Sequence, residues 1–264
     1  MRRHHLFEFT ELAACPKVLR QLVTGYLEAI VATCRPYLSH SHLLADAMRS
    51  TGTSRLVDLC SGEGGPWFNL VRHLEQEVGE PVTVVLTDKF PSREATARAA
   101  SVRGLEYWGE SVDARRVPEQ LQGVRTLFNG FHHFRPADAQ AILQDAVAKR
   151  QPIAIFEMLE RTWLALLQVL FAPLSVLVLT PLVRPVTWWR LVLTYLLPVA
   201  PLLVLWDSVV SVLRCYRPEE LRGMTERIGG AYHWEAGRYW RHCMPVTYLI
   251  GYPDPAPPVD RADT

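Results

Sequence analysis

The run Asp58-Leu-Cys60-Ser-Gly62-Glu-Gly64-Gly65-Pro66 closes a short apolar segment and precedes a helical pattern. Glycines in that place let the backbone approach a ligand closely, and the following helix presents free N–H groups. Asp88 stands thirty positions after Asp58, at the end of a β-branched run. A carboxylate at such a strand tip accepts both hydroxyls of a ribose. Asn129, His132 and His133 fall in the stretch NGFHHF, and Glu157 ends another apolar run. Histidine titrates near neutral pH, so a His-His pair bracketed by aromatics suits a general base beside an apolar acceptor. Asn129 is a candidate for the pocket lining, and Glu157 for a polar substrate group or the ribose edge. His132, His133 and Glu157 lack the number and spacing of ligands that a metal centre needs, so no metal is expected. The dinucleotide pattern GxGxxG, begun at Gly62, requires glycine at position 67, where Trp67 stands.

These residues need elements to hold them. Apolar positions from Leu19 to Val31 recur at helical spacing, and Pro16 suits a helix start. From Arg55 the pattern becomes strand and helix in alternation. Runs 55–60, 82–88, 124–130 and 152–158 read as strands, with LEYWGE as a further one, and helical patterns lie between them. Such alternation implies a parallel sheet covered on both faces, whose inner strands are continuously apolar. RPEELRGMTERIG (217–229) reads as a helix closed by Gly229, and residues 231–253 as an antiparallel pair. Tyr232 and Trp234 in that pair are candidates for a substrate wall.

The glycine turn resembles motif I of the class I S-adenosylmethionine (SAM)-dependent methyltransferases, an acid followed by x-G-x-G-x-G. Asp58, Gly62 and Gly64 match, and Cys60 replaces the first glycine. In that family an acid at the position of Asp88 holds the SAM ribose, and one at the position of Asp113, in SVDA, commonly accepts the adenine amino group. The resemblance covers roughly residues 55–160 and 207–252. It implies a Rossmann-like α/β fold, seven-stranded and mostly parallel, with helices on both faces. It also implies S-adenosyl-L-methionine as cofactor, held by Asp58, Cys60, Gly62, Gly64, Asp88, Asp113 and Asn129. Methyl transfer by in-line displacement follows, with His132 or His133 as base. A SAM-binding scaffold without transfer activity is the first rival, and a nicotinamide-dependent reductase the second.

The chain has 264 residues, a formal charge of +1 and a pI of about 7.7, which gives no basic footprint for nucleic acid. Five scattered cysteines without CxxC spacing read as reduced thiols rather than a disulfide framework. Residues 1–54 are expected to form helices lying as a lid on the substrate side, and 253–264 a disordered tail. Between the core (55–160) and its completion (207–252) lies an apolar insertion, 161–206. Thr162–Val183 and Leu191–Trp206 carry no charge over 22 and 16 residues. As helices they would reach about 33 and 24 Å, against a hydrocarbon core of roughly 30 Å. Prolines 173, 181, 198 and 201 oppose straight helices. Both flanks contribute to one sheet, so the insertion crosses a membrane twice or not at all. The expectation is a helical hairpin in a lipid membrane, spanning it or lying in the interface. The catalytic domain would face the cytoplasm, and the acceptor would be small and lipophilic.

Overall fold

Four short runs, each apolar on both faces, form the centre of the sheet. The computed structural model describes residues 1–12, 14–184, 186–241 and 244–254. Helices α1 (Lys17–Cys34) and α2 (His42–Thr51) precede β1 (Arg55–Asp58), α3 (Trp67–Val78), β2 (Thr83–Leu86), α4 (Arg93–Ala99) and β3 (Leu105–Tyr107). Then come β4 (Val124–Phe128), α5 (Pro136–Ala148) and β5 (Ile153–Glu157). The insertion holds α6 (Trp163–Val169), α7 (Ala172–Leu179), α8 (Trp188–Leu191) and the start of α9 (Val199–Arg214). Helix α10 (Pro218–Ile228) leads into β6 (Tyr232–Arg241) and β7 (Met244–Pro253).

The strand order is β3-β2-β1-β4-β5-β7-β6. The first five strands are mutually parallel, and β7 runs antiparallel to both β5 and β6. This is the expected mostly parallel seven-stranded sheet. Every residue of β4 and β5 is buried, as strands covered on both faces must be. Their period of two divides the core. Leu56, Val84, Val124 and Ala154 face α2 and α3, whereas Val57, Val85, Leu127 and Ile155 face α5 and α10. The order reverses between β1 and β4, and ligands of open α/β sheets bind beyond the strand ends at such a switch point.

The two N-terminal helices do different work. Helix α2 packs on the sheet through Leu44 and Met48. Helix α1 instead buries Leu22, Val23 and Tyr26 against Ala172, Val176, Leu203 and Val204 of the insertion, with Tyr26 Oη 2.7 Å from Ser175 Oγ. The expected lid is therefore part sheet layer and part partner of the insertion.

Neither apolar run of the insertion is one straight helix, although each, taken as a bent pair, has the length and composition to cross a membrane. Its first apolar run bends by 41° between α6 and α7, and its second by 75° ahead of α9. No single helix among the described residues is long and apolar enough to cross a membrane. Prolines account for both breaks. Pro173 sits in the first turn of α7, Pro181 in a 3₁₀ turn, and Pro198 has a non-helical ψ of 46°. Helix α9 also continues past Trp206, carrying the buried Asp207 and Arg214 onto the core side. Of the expected tail, residues 255–264 lie outside the described residues, as does Cys243. The other four cysteines are free thiols.

Candidate active site

The glycine turn is wired to its neighbours from the strand ends outward. Leu59 N–H donates to Thr126 O, Thr87 N–H to Asp58 O, and Ser61 N–H to Thr87 O. The buried Asp58 carboxylate accepts from Thr126 Oγ1 at 2.6 Å. Burial pushes its pKa up to about 6, although hydrogen bonds to the carboxylate pull the other way. Asp58 thus orders the turn from beneath. Cys60, Gly62, Gly64 and Gly65 all have positive φ, at 58°, 53°, 109° and 50°. Cys60 keeps the left-handed conformation that a glycine would adopt freely, so the departure from the resembled motif leaves the turn intact. Burial, together with Asp88, Asp58 and Asp113, holds its thiol well above the ordinary range and therefore protonated. A Cβ on Gly64 would lie 2.6 Å from the Phe68 ring, whereas Gly62 and Gly65 face open space.

Asp88 extends from the tip of β2 to this turn. Its Oδ2 accepts from Gly62 N–H at 2.9 Å and its Oδ1 from Phe90 N–H at 2.8 Å. Ser92, not Asp88, caps α4, accepting from Ala95 N–H. Tyr107 Oη donates to Gly62 O at 3.1 Å and closes the other side of the turn. Asp113 follows Val112, whose N–H donates to Asp88 O. Arg115 grips both Asp113 oxygens and bridges to Asp138, holding the Asp113 carboxyl down at about 2. A ligand amine at Asp113 therefore shares an already engaged carboxylate.

The second group rises from the ends of β4 and β5. Asn129, at a left-handed φ of 50°, accepts from Met158 N–H through Oδ1 at 2.8 Å and ties the two strands together. The chain then turns at Gly130, where an added Cβ would lie 3.5 Å from Cys60 Cβ. The histidine turn thus abuts the glycine turn. Glu157 Oε1 accepts from Phe131 N–H at 2.6 Å, and Oε2 lies 2.6 Å from His132 Nδ1. Burial pushes the Glu157 carboxyl up, but His132, His133 and the backbone donors outweigh it, so it stays ionised. An ionised Glu157 takes the Nδ1 proton of His132 as a hydrogen bond and leaves Nε2 as the basic nitrogen. Glu157 is thus an orienting carboxylate.

Glu8, Glu11 and Arg214 complete this cluster. Glu8 Oε1 lies 3.8 Å from His132 Nε2, and Glu11 Oε1 lies 2.7 Å from His133 Nδ1. Burial raises the pKa of Glu8. Burial also acts upward on Glu11, yet hydrogen bonds from His133 and Arg214 carry it far below the carboxylate range. Glu8, His132 and His133 bring three ligand atoms within 4.8 Å of one another, as do His132, Glu157 and Cys215. Arg214 supplies the positive charge at the first trio, 3.3 Å from both Glu8 Oε1 and His133 Nδ1, and opposes a second cation. Sequence reasoning missed these partners because Glu11 lies 122 residues from His133, and Arg214 lies 203 from Glu11 and 81 from His133.

Tyr232 and Trp234 require a correction. Glu157 is level with Thr247 and Arg238, whereas Trp234 pairs with Gly251, which pairs with Ile153 at the start of β5. Both aromatics therefore lie at the end of the sheet away from the site. There Trp234 packs with the α5 and α10 side of the core, Tyr232 lies against the Trp234 ring, and Tyr232 Oη donates to Gln151 O.

No family model and no curated protein matches this sequence. Solved structures overlap it in fold. The CMeT domain of the citrinin polyketide synthase is 14% identical with a TM-score of 0.47, over 77% of this chain and 47% of that one. The mitomycin 7-O-methyltransferase MmcR is 17% identical with a TM-score of 0.46, over 82% and 54%. Magnesium protoporphyrin IX methyltransferase from Synechocystis PCC 6803, solved with bound SAM, is 10% identical with a TM-score of 0.43, over 93% and 88%. This chain spans about half the length of several such structures. These are likenesses of fold, and they leave the chemistry to this chain's own residues.

Proposed function

We propose that the chain is a SAM-dependent methyltransferase acting on a small lipophilic acceptor. One observation carries this reading: a carboxylate at the tip of β2 is hydrogen-bonded to a left-handed glycine turn at the switch point of the sheet. Gly62 and Gly65 have open space where a Cβ would stand, so a ligand can approach their backbone, and Asp88 remains half-exposed beside them. Asp88 would hold the ribose and Asp113 the adenine edge, with Cys60 and Asn129 shaping the floor. Bound SAM supplies an electrophilic methyl group for in-line displacement. The protein's part is alignment, exclusion of water and removal of a proton where the acceptor must lose one. His132 Nε2 is the base, and Glu157 fixes its tautomer.

The apolar face of the insertion supports the lipophilic acceptor. Trp163, Trp188 and Leu196 are 72%, 76% and 75% exposed, in a surface that also holds Phe171, Leu174 and Val178. So many large apolar side chains exposed within one insertion support an interaction site. We assign it to the interface of a lipid bilayer, with the helices lying in the headgroup region. We place the catalytic domain on the cytoplasmic side, where free thiols stay reduced.

Calorimetric titration of detergent-purified protein with SAM and with NADH tests the cofactor. SAM binding is expected in the wild type, at least about ten-fold weaker in Asp88→Ala for a lost charged hydrogen bond. Folded protein that bound NADH and not SAM would sink the reading. A SAM-binding scaffold without transfer is the second reading, favoured by the burial of His132 behind Glu8. Labelled SAM with a membrane-lipid extract separates the two, since a scaffold yields no labelled lipid.

A further inference from the structure

We propose that an arginine-lined groove at the root of the insertion binds the phosphate of an anionic lipid headgroup. This rests on the bilayer docking proposed above. The groove is open, has a volume of ≈ 390 Å³, and is lined by Glu160, Thr162, Arg217, Arg222, Gly237 and Arg238, among others. It opens at the β6 edge of the sheet, two strands across from β5, with Arg238 level with Glu157. Its guanidinium groups converge from three places: the residue before α10, the second turn of α10, and β6. Each is only partly engaged. Arg217 donates to Arg161 O at 3.3 Å, Arg222 to Ala236 O at 2.7 Å, and Arg238 meets Glu160 at 3.0 Å. A guanidinium carries five N–H donors, so all three retain donors for a further acceptor.

Charge decides the sign of the ligand. Three arginines against Glu160 and Glu219 leave the lining net positive. Directly behind it, Arg161 is buried and pairs with Glu220, while its Nε and Nη1 have no hydrogen-bond partner among the described residues. The fork of an arginine matches a phosphate with two parallel hydrogen bonds. Position decides the source. Thr162 lines the groove and caps α6, and the next residue, Trp163, opens the exposed apolar stripe that continues through Leu164 and Leu167. A phosphate in the groove thus sits at the edge of a surface suited to acyl chains, as an anionic amphiphile requires.

The test is sedimentation of the full chain with phosphatidylcholine vesicles, with and without phosphatidylglycerol. Phosphatidylglycerol is expected to tighten wild-type binding. Arg222→Gln is expected to lose about five-fold of that gain, the worth of one arginine near an anionic surface, while its phosphatidylcholine binding stays unchanged. Arg222→Lys should recover part of the loss, and Arg72→Gln, at an exposed arginine of α3, should recover nothing because it loses nothing. Melting curves establish that each variant is folded. Equal losses in Arg222→Gln and Arg72→Gln would reduce the effect to general charge and overturn the proposal. Wild-type binding to neither vesicle would overturn the bilayer reading and this one together. Saturable binding of inorganic phosphate that is lost in Arg222→Gln, without a phosphatidylglycerol gain, would reassign the groove to a free phosphate. The SAM titration is read separately, so failure of the cofactor reading is distinguishable from each of these.

Discussion

Cys60 occupies a conformation that disfavours a side chain. Its φ of 58° lies in the left-handed region, where a residue bearing a Cβ sits at a penalty of about 1–2 kcal/mol. Cys60→Gly is therefore expected to keep SAM affinity and to melt no lower than the wild type, relief of strain offsetting the loss of a small thiol. Cys60→Val, β-branched at the same φ, should melt several degrees lower. Equal melting temperatures for the two variants would show that the turn bears no strain at this residue. Asp58 makes a second prediction. Its folded pKa, about 6, exceeds the ordinary 3.8, so the folded protein holds a proton that the unfolded chain has released between those values. Its contribution to stability is full below about pH 4 and is lost as the pH rises through about 6. Urea melts of wild type and Asp58→Asn at several pH values isolate this group. The variant should gain relative to wild type from pH 4 to 7, and a pH-independent difference would refute the assignment. Asp58, Gly62, Gly64 and Asp88 were legible in the sequence because each sits within a few residues of a strand end. The orienting role of Glu157 was not, because it depends on which neighbour its carboxylate meets across the sheet.

The helices of the insertion are apolar on two sides, which explains both what the sequence revealed and what it concealed. Ala165, Val169, Ala172 and Val176 recur at helical spacing and are buried, and Leu167, Leu170, Leu174 and Val178 recur at the same spacing and are exposed. A hydropathy sum records only that both sets are apolar. It therefore reads a span where four prolines and a π-helical turn at Val192–Leu196 fold the segment against α1. The buried parallel strands were legible for the opposite reason: their apolar runs are short and end in turn residues. The exposed stripe gives the prediction at this scale. Leu167, Leu174 and Val178 are all more than half exposed, so replacing them by Gln should change the unfolding free energy by no more than about 0.5 kcal/mol per site. Partition onto vesicles should fall on the order of a hundred-fold, if each side chain loses about 1 kcal/mol of transfer from water to lipid. A stable variant that still partitions fully would remove the stripe from the docking surface.

At the scale of the molecule, the first dozen residues are bound across the insertion and the core by charge. Asp207 accepts from Phe9 N–H at 2.8 Å, Glu8 accepts from Ser211 Oγ at 2.8 Å, and Arg214 donates to both oxygens of Glu11 at 2.6 Å. Arg3 reaches the histidine turn, donating to Phe134 O at 2.9 Å. This strap lies over His132 and His133, so whatever loosens it also uncovers the proposed base. No local pattern announces the clamp, since its halves are about 200 residues apart and each alone reads as an ordinary helix end or charged terminus. Its energetics follow from burial. Arg214 is 2% exposed, and a buried charge stripped of its partner costs about 3–5 kcal/mol, whereas removing all the charges together is close to neutral. Glu8→Gln with Glu11→Gln should therefore destabilise the protein strongly, and Arg214→Met likewise. The triple variant should recover most of the loss. Urea melts of the four proteins form the cycle that measures the coupling. Losses that simply add in the triple variant would mean that the strap is held by its backbone contacts, with the ion pairs contributing nothing. If the coupling is large, the strap is an integral wall of the histidine site, and methyl transfer should fall with strap occupancy in the double variant while SAM affinity, which rests on the glycine turn and Asp88 and not on the strap, is retained.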